Sequence, residues 1–213
     1  MIIVGIDLSG PANLQDTAMA IFKERDQGLE LVEQHQGVSD GLILDRVSVH
    51  GQTDVVLVGL DAPLSYASGG GDRPGDRELR RRIVAAGMSP GSIMPPTLTR
   101  MAYLTLRGMA VARMLETLEP QPAGIVEIHP GAVMVLGGAP VDLVRRLKKA
   151  PEVISALGAW LNGAGLQGLD GTTESDHLLM AYAVALGTWN WNTGRWKWLQ
   201  PADPPEHPYD YAS

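Results

Sequence analysis

The sequence contains no cysteine in its 213 residues. Disulfides, thiolate metal sites and cysteine nucleophiles are therefore excluded, and this absence favours a reducing compartment such as the cytoplasm. No apolar run approaches the roughly 20 residues needed to cross a bilayer. The N-terminus lacks the basic segment followed by an apolar one that marks a signal peptide. We therefore expect a cytoplasmic protein that does not enter a membrane.

Positive charge is also scarce. The chain carries 17 lysine and arginine residues against 24 acidic ones, which gives a formal net charge of −7. That balance argues against a protein that coats nucleic acid non-specifically through its phosphates. The net charge is still compatible with an enzyme that binds phosphate through a metal ion and a local basic patch. A hydrophobic content of 45% and a charged content of 19% are typical of a globular protein with one sizeable core.

Three short apolar runs carry a carboxylate at or near their end. Asp7 ends the first run, Asp61 ends the second, and Glu127 lies within the third. Short apolar runs bounded by turn residues indicate buried strands of a mostly parallel sheet, and ligands bind at the carboxyl ends of such strands. Gathered carboxylates are costly to keep ionised unless a cation joins them. The pattern therefore predicts a metal site at one edge of the sheet.

The remaining pattern predicts one α/β domain over residues 1–200, with a helical insertion at about 66–118 and a Pro-rich acidic tail at 201–213. The predicted strands cover about 1–7, 17–24, 29–35, 54–60 and 123–128. The predicted helices include a short one after Ser39 and others over about 75–87, 98–118, 130–136, 141–149, 151–163 and 174–188.

Five segments of the sequence resemble the signature blocks of the domain-of-unknown-function family 429, whose members are described as predicted ribonuclease-H-like nucleases. They are GIDLSGP at 5–11, GLDAPLS at 59–65, RPGDRELR at 73–80, EIHP at 127–130 and DHLLMA at 176–181. The resemblance implies a ribonuclease-H-like fold, in which the first three strands are antiparallel, the fourth and fifth are parallel, and helices flank the sheet. It also implies a nuclease or phosphodiester hydrolase that depends on Mg²⁺ or Mn²⁺.

The resemblance and the chemistry of phosphate transfer together suggest roles for individual residues. Two divalent ions held by carboxylates can stabilise the attacking and leaving oxygens of an in-line displacement. The predicted metal ligands and catalytic carboxylates are Asp7, Asp61, Glu127 and Asp176. His177 is predicted to carry protons, because histidine titrates near neutrality. The predicted substrate contacts are Ser9, Ser65, Arg73, Arg77, Arg80 and His129.

Each of these residues also has a purely structural interpretation. An acid at the end of a strand often accepts hydrogen bonds from the backbone of the following turn. An acid in the first turn of a helix, as at Asp176, is favoured by the helix dipole. His129 can end a strand and begin the next helix, and a run of arginines is often a solvated face. The Trp-rich segment over 189–199 is interpreted as core packing or as the contact surface of a homodimer.

Two other functions stay open on the sequence alone. One is a module that binds a nucleotide or nucleic acid without catalysis. The other is a nucleotide binder related to the actin and sugar-kinase superfamily, whose members also open with a strand, an Asp and a turn. That superfamily needs two such domains, and 213 residues are too few for both. The predicted partner is therefore a nucleic acid or nucleotide substrate.

Overall fold

The computed structural model describes residues 1–26, 28–147, 152–169 and 175–213. In this part of the chain, eight strands form one mixed sheet in the order β6-β3-β2-β1-β4-β5-β8-β7. The strands are β1 (Ile2–Asp7), β2 (Ala18–Arg25), β3 (Gly28–Gln36), β4 (Val56–Asp61), β5 (Gly124–Ile128), β6 (Leu166–Gln167), β7 (Leu199–Gln200) and β8 (Asp210–Ala212). The helices are α1 (Asp40–Gly51), α2 (Pro74–Ala85), α3 (Thr99–Leu115), α4 (Pro130–Leu136), α5 (Val141–Arg146), α6 (Glu152–Gly163) and α7 (Asp176–Asn192). The predicted mixed α/β class is confirmed.

The centre of the sheet combines both strand directions. β1 pairs with β2 antiparallel and with β4 parallel, and β2 pairs with β3 antiparallel. β4 pairs with β5 in parallel. In the pairing of β1 with β4, Asp7 lies directly beside Asp61. The two strand-end acids that the sequence singled out are therefore neighbours at one edge of the sheet.

Alternate residues of the central strands point to two separate cores, as the pleat of a strand requires. Ile3 of β1 packs in the core that contains α4, α6 and α7. Its neighbours Ile2 and Val4 pack in the core on the other face, with residues of α1 and α3. The sheet is therefore covered by helices on both faces, and Asp7 lies on the α7 side, since it alternates in step with Ile3.

Two glycines allow α7 to lie very close to the sheet. A Cβ added at Gly5 of β1 would collide with the backbone of Ala181 and Ala185, and one added at Gly59 of β4 would collide with Thr188. Glycine is the one residue type without a Cβ, so no other residue type fits at these two positions while α7 is this close. The two glycines thus fix the distance between α7 and the strands that carry Asp7 and Asp61.

The C-terminal segment differs from its prediction as an acidic tail over 201–213. Asp210–Ala212 form β8, which lies between β5 and β7 and runs parallel to β5. Tyr211 and Ala212 are buried in this position. A strand of three residues is too short to show an alternating pattern, and the nearby prolines favoured an extended tail. The last residues of this segment are therefore part of the sheet.

The last long helix also differs from its predicted span of 174–188. α7 continues to Asn192 and includes Trp189 and Trp191, while Ser175 caps its start by accepting a hydrogen bond from the backbone of Leu178. Residue 174 lies outside the described residues, as do the adjoining ends of the predicted helices 141–149 and 151–163. The Trp-rich segment is thus divided between α7 and the sheet edge, where Trp198 is buried and Trp196 is 41% exposed. The dimer contact stays a prediction.

None of the helices in the described ranges combines the length and apolar character that crossing a membrane requires.

Glu33 on β3 joins the sheet to α1. Its carboxylate accepts hydrogen bonds from Arg46 at 2.6 and 2.9 Å, from His50 at 3.0 Å and from His35 at 3.1 Å. Partial burial alone would raise the pKa of Glu33, but the hydrogen bonds from Arg46 and His35 outweigh it and lower that pKa from 4.5 to about 2. The ionised carboxylate therefore stabilises the packing of α1 on the sheet.

We expect the Gly5→Ala substitution to destabilise the protein by about 1–3 kcal/mol, because α7 must shift to admit the new methyl group. Gly10→Ala is the matched control, since a Cβ there meets nothing within 4 Å. Urea unfolding of the two variants measures the difference. Equal stability of both would contradict the close contact between α7 and β1.

We expect Glu33→Gln to lower the free energy of unfolding by about 2 kcal/mol at pH 7, since hydrogen bonds to a charged group are lost. The folded pKa lies below the unfolded one, so this contribution is complete above about pH 4.5 and disappears as the pH falls towards 2. Unfolding at pH 7 and at pH 3 should therefore show a smaller effect at the lower pH. Glu30→Gln, on the exposed part of the same strand, is the control and should show a small effect at both. A Glu33→Gln effect of the same size at the two pH values would exclude this role.

Candidate active site at the carboxyl edge of the sheet

A cavity of about 370 Å³ opens where β1, β4 and β5 end and α7 begins. Residues of the loop after β1, of the segment between β4 and β5, and of β8 complete its lining. The structure brings all five predicted catalytic residues to this one cavity, together with three of the predicted substrate contacts. They are Asp7, Asp61, Glu127, Asp176 and His177, with Ser9, Arg73 and His129.

Asp7 and His177 form the central pair of the cavity. His177 Nδ1 donates a hydrogen bond of 2.7 Å to Asp7 Oδ2, because the close contact of α7 with β1 brings the first turn of the helix to the end of the strand. This bond raises the pKa of His177, although partial burial opposes it. It also assigns the proton to Nδ1, so that Nε2 is the ring atom that can exchange protons.

Two more acids lie around the outer nitrogen of His177. His177 Nε2 is 3.8 Å from Asp16 Oδ1 and 3.9 Å from Asp176 Oδ1. Asp176 belongs to α7, whereas Asp16 comes from a short 3₁₀ turn, Leu14–Asp16, between β1 and β2. The histidine therefore lies among three carboxylates, and each of them favours its protonated form.

Glu127 has a partner that the sequence analysis did not anticipate. Its Oε1 accepts a hydrogen bond of 2.5 Å from Arg73 Nη2, and its Oε2 accepts one of 2.7 Å from Arg73 Nη1. The backbone N–H of Leu64 donates a further bond of 2.8 Å to Oε2. Glu127 is only 5% exposed. The carboxylate predicted as a metal ligand is thus held in a buried, bidentate ion pair.

Arg73 uses every N–H of its guanidinium within the protein. Nη1 and Nη2 donate to Glu127, Nε and Nη2 donate to Asp76, and the second hydrogen of Nη1 goes to Ser65 Oγ at 3.2 Å. Burial alone would lower the pKa of Arg73, but Glu127 and Asp76 hold it above its ordinary value. The ring of Tyr211 covers the guanidinium at 5.1 Å. A phosphate group at Arg73 would have to displace one of these bonds.

The other predicted arginine contacts lie outside the described lining of the cavity. Arg80 forms two hydrogen bonds of 2.6 Å with Asp72 and a third, of 3.0 Å, with the carbonyl of Ile93. Arg77 donates to the carbonyl of Asp72. Both side chains therefore fasten the start of α2 to the loops around it. Their predicted contact with substrate is not supported by a position in the cavity.

Both predicted serine contacts hold the walls of the site together. Ser65 Oγ is buried between Arg73 and His207 Nδ1, at 2.8 Å from the latter, and does not line the cavity. Ser9 does line it, but its Oγ donates to the carbonyl of Asn13 and contacts Thr17 Oγ1 at 2.7 Å. Each hydroxyl thus already takes part in a network within the protein.

His129 begins α4 and ties it to the insertion between β4 and β5. Its Nδ1 accepts a hydrogen bond of 3.0 Å from the backbone of Ala132, which caps the helix. Its Nε2 donates one of 2.9 Å to the carbonyl of Ser92. Burial lowers the pKa of His129, so the ring stays neutral near pH 7. Because both ring nitrogens form hydrogen bonds within the protein, the geometry favours a structural role for His129 over contact with substrate.

Sequence reasoning missed four residues that shape the site. Asp16 lies in a 3₁₀ turn without periodicity, and Tyr211 lies in the segment predicted as a tail. Asp76 lies in the segment RPGDRELR, three residues after Arg73, and this spacing is the sequence signal that would have predicted a capping interaction at the start of α2. Arg107 of α3 is buried and donates to Ser9 O and to Thr17 Oγ1, which joins the insertion to the loop after β1.

The described ranges contain no group of three or more histidine, aspartate or glutamate side chains already arranged to hold a metal ion. The predicted Mg²⁺ or Mn²⁺ therefore stays a prediction.

We expect Glu127→Gln to destabilise the metal-free protein by about 3 kcal/mol, because it leaves the buried charge of Arg73 less compensated. Exposed Glu119→Gln is the control and should unfold like the natural protein. Urea unfolding in the presence of a chelator measures both. A carboxylate held only for a metal would be repelled by its neighbours, so a gain in stability would contradict the structural ion pair.

The sequence model of the family described as "Protein of unknown function (DUF429)" matches residues 5–206. No curated protein matches the chain. The matched range contains every residue of the cavity named above except Tyr211. Because the match spans most of the chain, the protein belongs to the DUF429 family.

Proposed function

We propose that this protein is a metal-dependent hydrolase of phosphodiester bonds on a ribonuclease-H-like fold. The observation that carries the proposal is the position of Asp7, which lies beside Asp61 in the sheet and holds His177 by a hydrogen bond of 2.7 Å. A strand-end carboxylate pair beside a histidine, in one cavity, combines ligands for a hard cation with a group that moves protons.

The order of elements supports the fold in this proposal. Five strands follow one another across the sheet as β3-β2-β1-β4-β5, with the first three antiparallel and the last two parallel. A helix with an acid in its first turn, α7, follows them in the chain and packs beside β1. This is the order that the family resemblance implied, and β6, β8 and β7 extend it at the two edges.

The four predicted metal ligands differ in how well they fit a cation. Glu127 does not fit, because Arg73 binds both of its oxygens. Asp7, Asp61 and Asp176 fit in chemistry, since all three bring hard carboxylate oxygens to the same cavity. They are not already arranged around a common point, so their side chains would have to rotate to coordinate an ion. We therefore assign the ion to Asp7, Asp61 and Asp176.

The charge of the cavity supports the need for a cation. Its described lining contains six carboxylates, and its one arginine, Arg73, is fully committed to two of them. The carboxylates beyond that ion pair are Asp7, Asp16, Asp61 and Asp176. A phosphodiester is itself anionic and would be repelled by this set. When bound, a divalent ion would neutralise charge and lower the pKa of an attacking water.

The chain's own residues supply proton transfer and orientation. Hydrolysis adds water across a P–O bond, so that one product is a phosphomonoester and the other an alcohol. His177 Nε2 would accept the proton of the water as the new bond to phosphorus forms, and a proton would pass to the leaving oxygen as the old bond breaks. Asp7 keeps the ring in the tautomer with the proton on Nδ1, and Asp16 stabilises the charged imidazolium.

The Asp7→Asn and Asp61→Asn variants should each abolish Mn²⁺ binding in a calorimetric titration, because each removes a charged ligand. His177→Ala should keep the ion but lower kcat for bis(p-nitrophenyl) phosphate by about 10²–10⁴, the usual contribution of a general acid or base. Asp45→Asn, at an exposed position on α1, is the control and should change neither. Unaltered Mn²⁺ binding in both Asp7→Asn and Asp61→Asn would exclude the proposed ion site. Ion binding without any hydrolysis would favour the alternative, a binding module without catalysis.

A further inference from the structure

The cavity has an apolar part that the proposed chemistry does not use. Met94 and Met101 come from the insertion between β4 and β5, and Met180 comes from α7. We call these three side chains the methionine wall. Met94 is 41% exposed, and the other two are partly exposed. Methionine is flexible and polarisable, and its sulfur makes favourable contacts with aromatic rings.

The methionine wall lines the same cavity as the acids of the site, and Met180 lies nearest to one of them in the chain. Met180 follows Asp176 by four positions on α7, so both side chains lie on the same face of the helix, one turn apart. On α3, Met101 and Leu104 are three positions apart and both line the cavity. A ligand whose charged group reaches the carboxylates through an ion therefore has an apolar surface beside it for a planar group.

The mouth of the cavity is poorly suited to a long polyanion. The side chains of Asp16 and Asp176 are 39% and 29% exposed there. No lysine occurs in the described lining, and its single arginine, Arg73, has no N–H left to donate. Proteins that bind single strands or duplexes follow the backbone with a row of cations, which neutralises the phosphates on either side of the reacting one. That row is missing from the described walls of this site.

From these features we infer that the substrate is a small, nucleotide-sized phosphodiester whose base packs on the methionine wall, and not an internal bond of a polynucleotide. The inference rests on the proposed function for the reacting bond. A cavity of about 370 Å³ is in the size range of small-molecule sites, roughly 300–1,000 Å³. One base on the methionine wall and one phosphate at the carboxylates use both parts of this space.

The test compares two methionines of the same helix. Met101→Ala removes part of the methionine wall, whereas Met109→Ala changes a partly buried side chain of α3 that does not line the cavity. The substrates are the dinucleotides ApA and UpU and the corresponding 20-nucleotide strands, each with Mn²⁺. Calorimetry with AMP and UMP measures binding without turnover.

We expect dinucleotide hydrolysis with a higher kcat/KM than internal cleavage of the strands. Met101→Ala should raise KM for the dinucleotide and the Kd of the mononucleotide about tenfold, because apolar contact is lost, with kcat little changed. Met109→Ala should behave like the natural protein. Equal effects of the two substitutions would overturn the role of the methionine wall.

The remaining outcomes separate this inference from the proposed function. Faster internal cleavage of the strands would overturn the inference and leave the hydrolase standing. The Met101→Ala substitution could weaken mononucleotide binding while no substrate is hydrolysed. That result would support a nucleotide-sized ligand and overturn the proposed hydrolase activity. Neither binding nor hydrolysis would overturn both.

Discussion

The contact between α7 and the strands β1 and β4 determines the geometry of the site. Gly5 and Gly59 have no Cβ, so the helix lies directly on the backbone of the sheet. This approach brings His177, in the first turn of α7, within 2.7 Å of Asp7 at the end of β1. Because interiors are close-packed and deform little, a shift of the helix would be transmitted to that pair. Packing and proposed chemistry therefore depend on the same two glycines.

A second constraint separates the acids of the cavity into two sets. Glu127 and Asp76 are buried and bound to Arg73, which lies between them. Such a network costs desolvation, and it is retained where the remaining hydrogen-bond donors and acceptors are satisfied, as they are here. Arg73 therefore acts as a permanent internal cation that fixes the wall formed by β5 and α2. The described lining of the cavity contains no arginine besides Arg73, and this difference supports the proposed cation site near His177 and not at Glu127.

The sequence predicted those parts of the site that depend on local pattern. Asp7 and Asp61 end apolar strands, and the parallel pairing of these strands makes them neighbours. The partner of Glu127 could not be predicted in this way, because Arg73 lies 54 residues away and meets it only after the insertion folds back. The strand β8 was missed since three residues carry no period. The central strands followed from short apolar runs, which are a local signal, whereas their arrangement was what the family resemblance implied and the charge pairs depended on tertiary contact.

The division of the acids into a set bound to Arg73 and a set near His177 explains how an acidic protein could act on an anionic substrate. In the proposed mechanism, positive charge at the reacting phosphate comes from an ion that the acids near His177 attract, and not from arginines. The acids at the mouth then favour substrates with few phosphates, because every additional phosphate is repelled without a cation of its own. A cation-dependent site of this kind selects for small ligands by their charge. The methionine wall provides an apolar surface for the uncharged part of the ligand. In this proposal, the placement of charge therefore selects the size of the substrate before any side chain contacts the base.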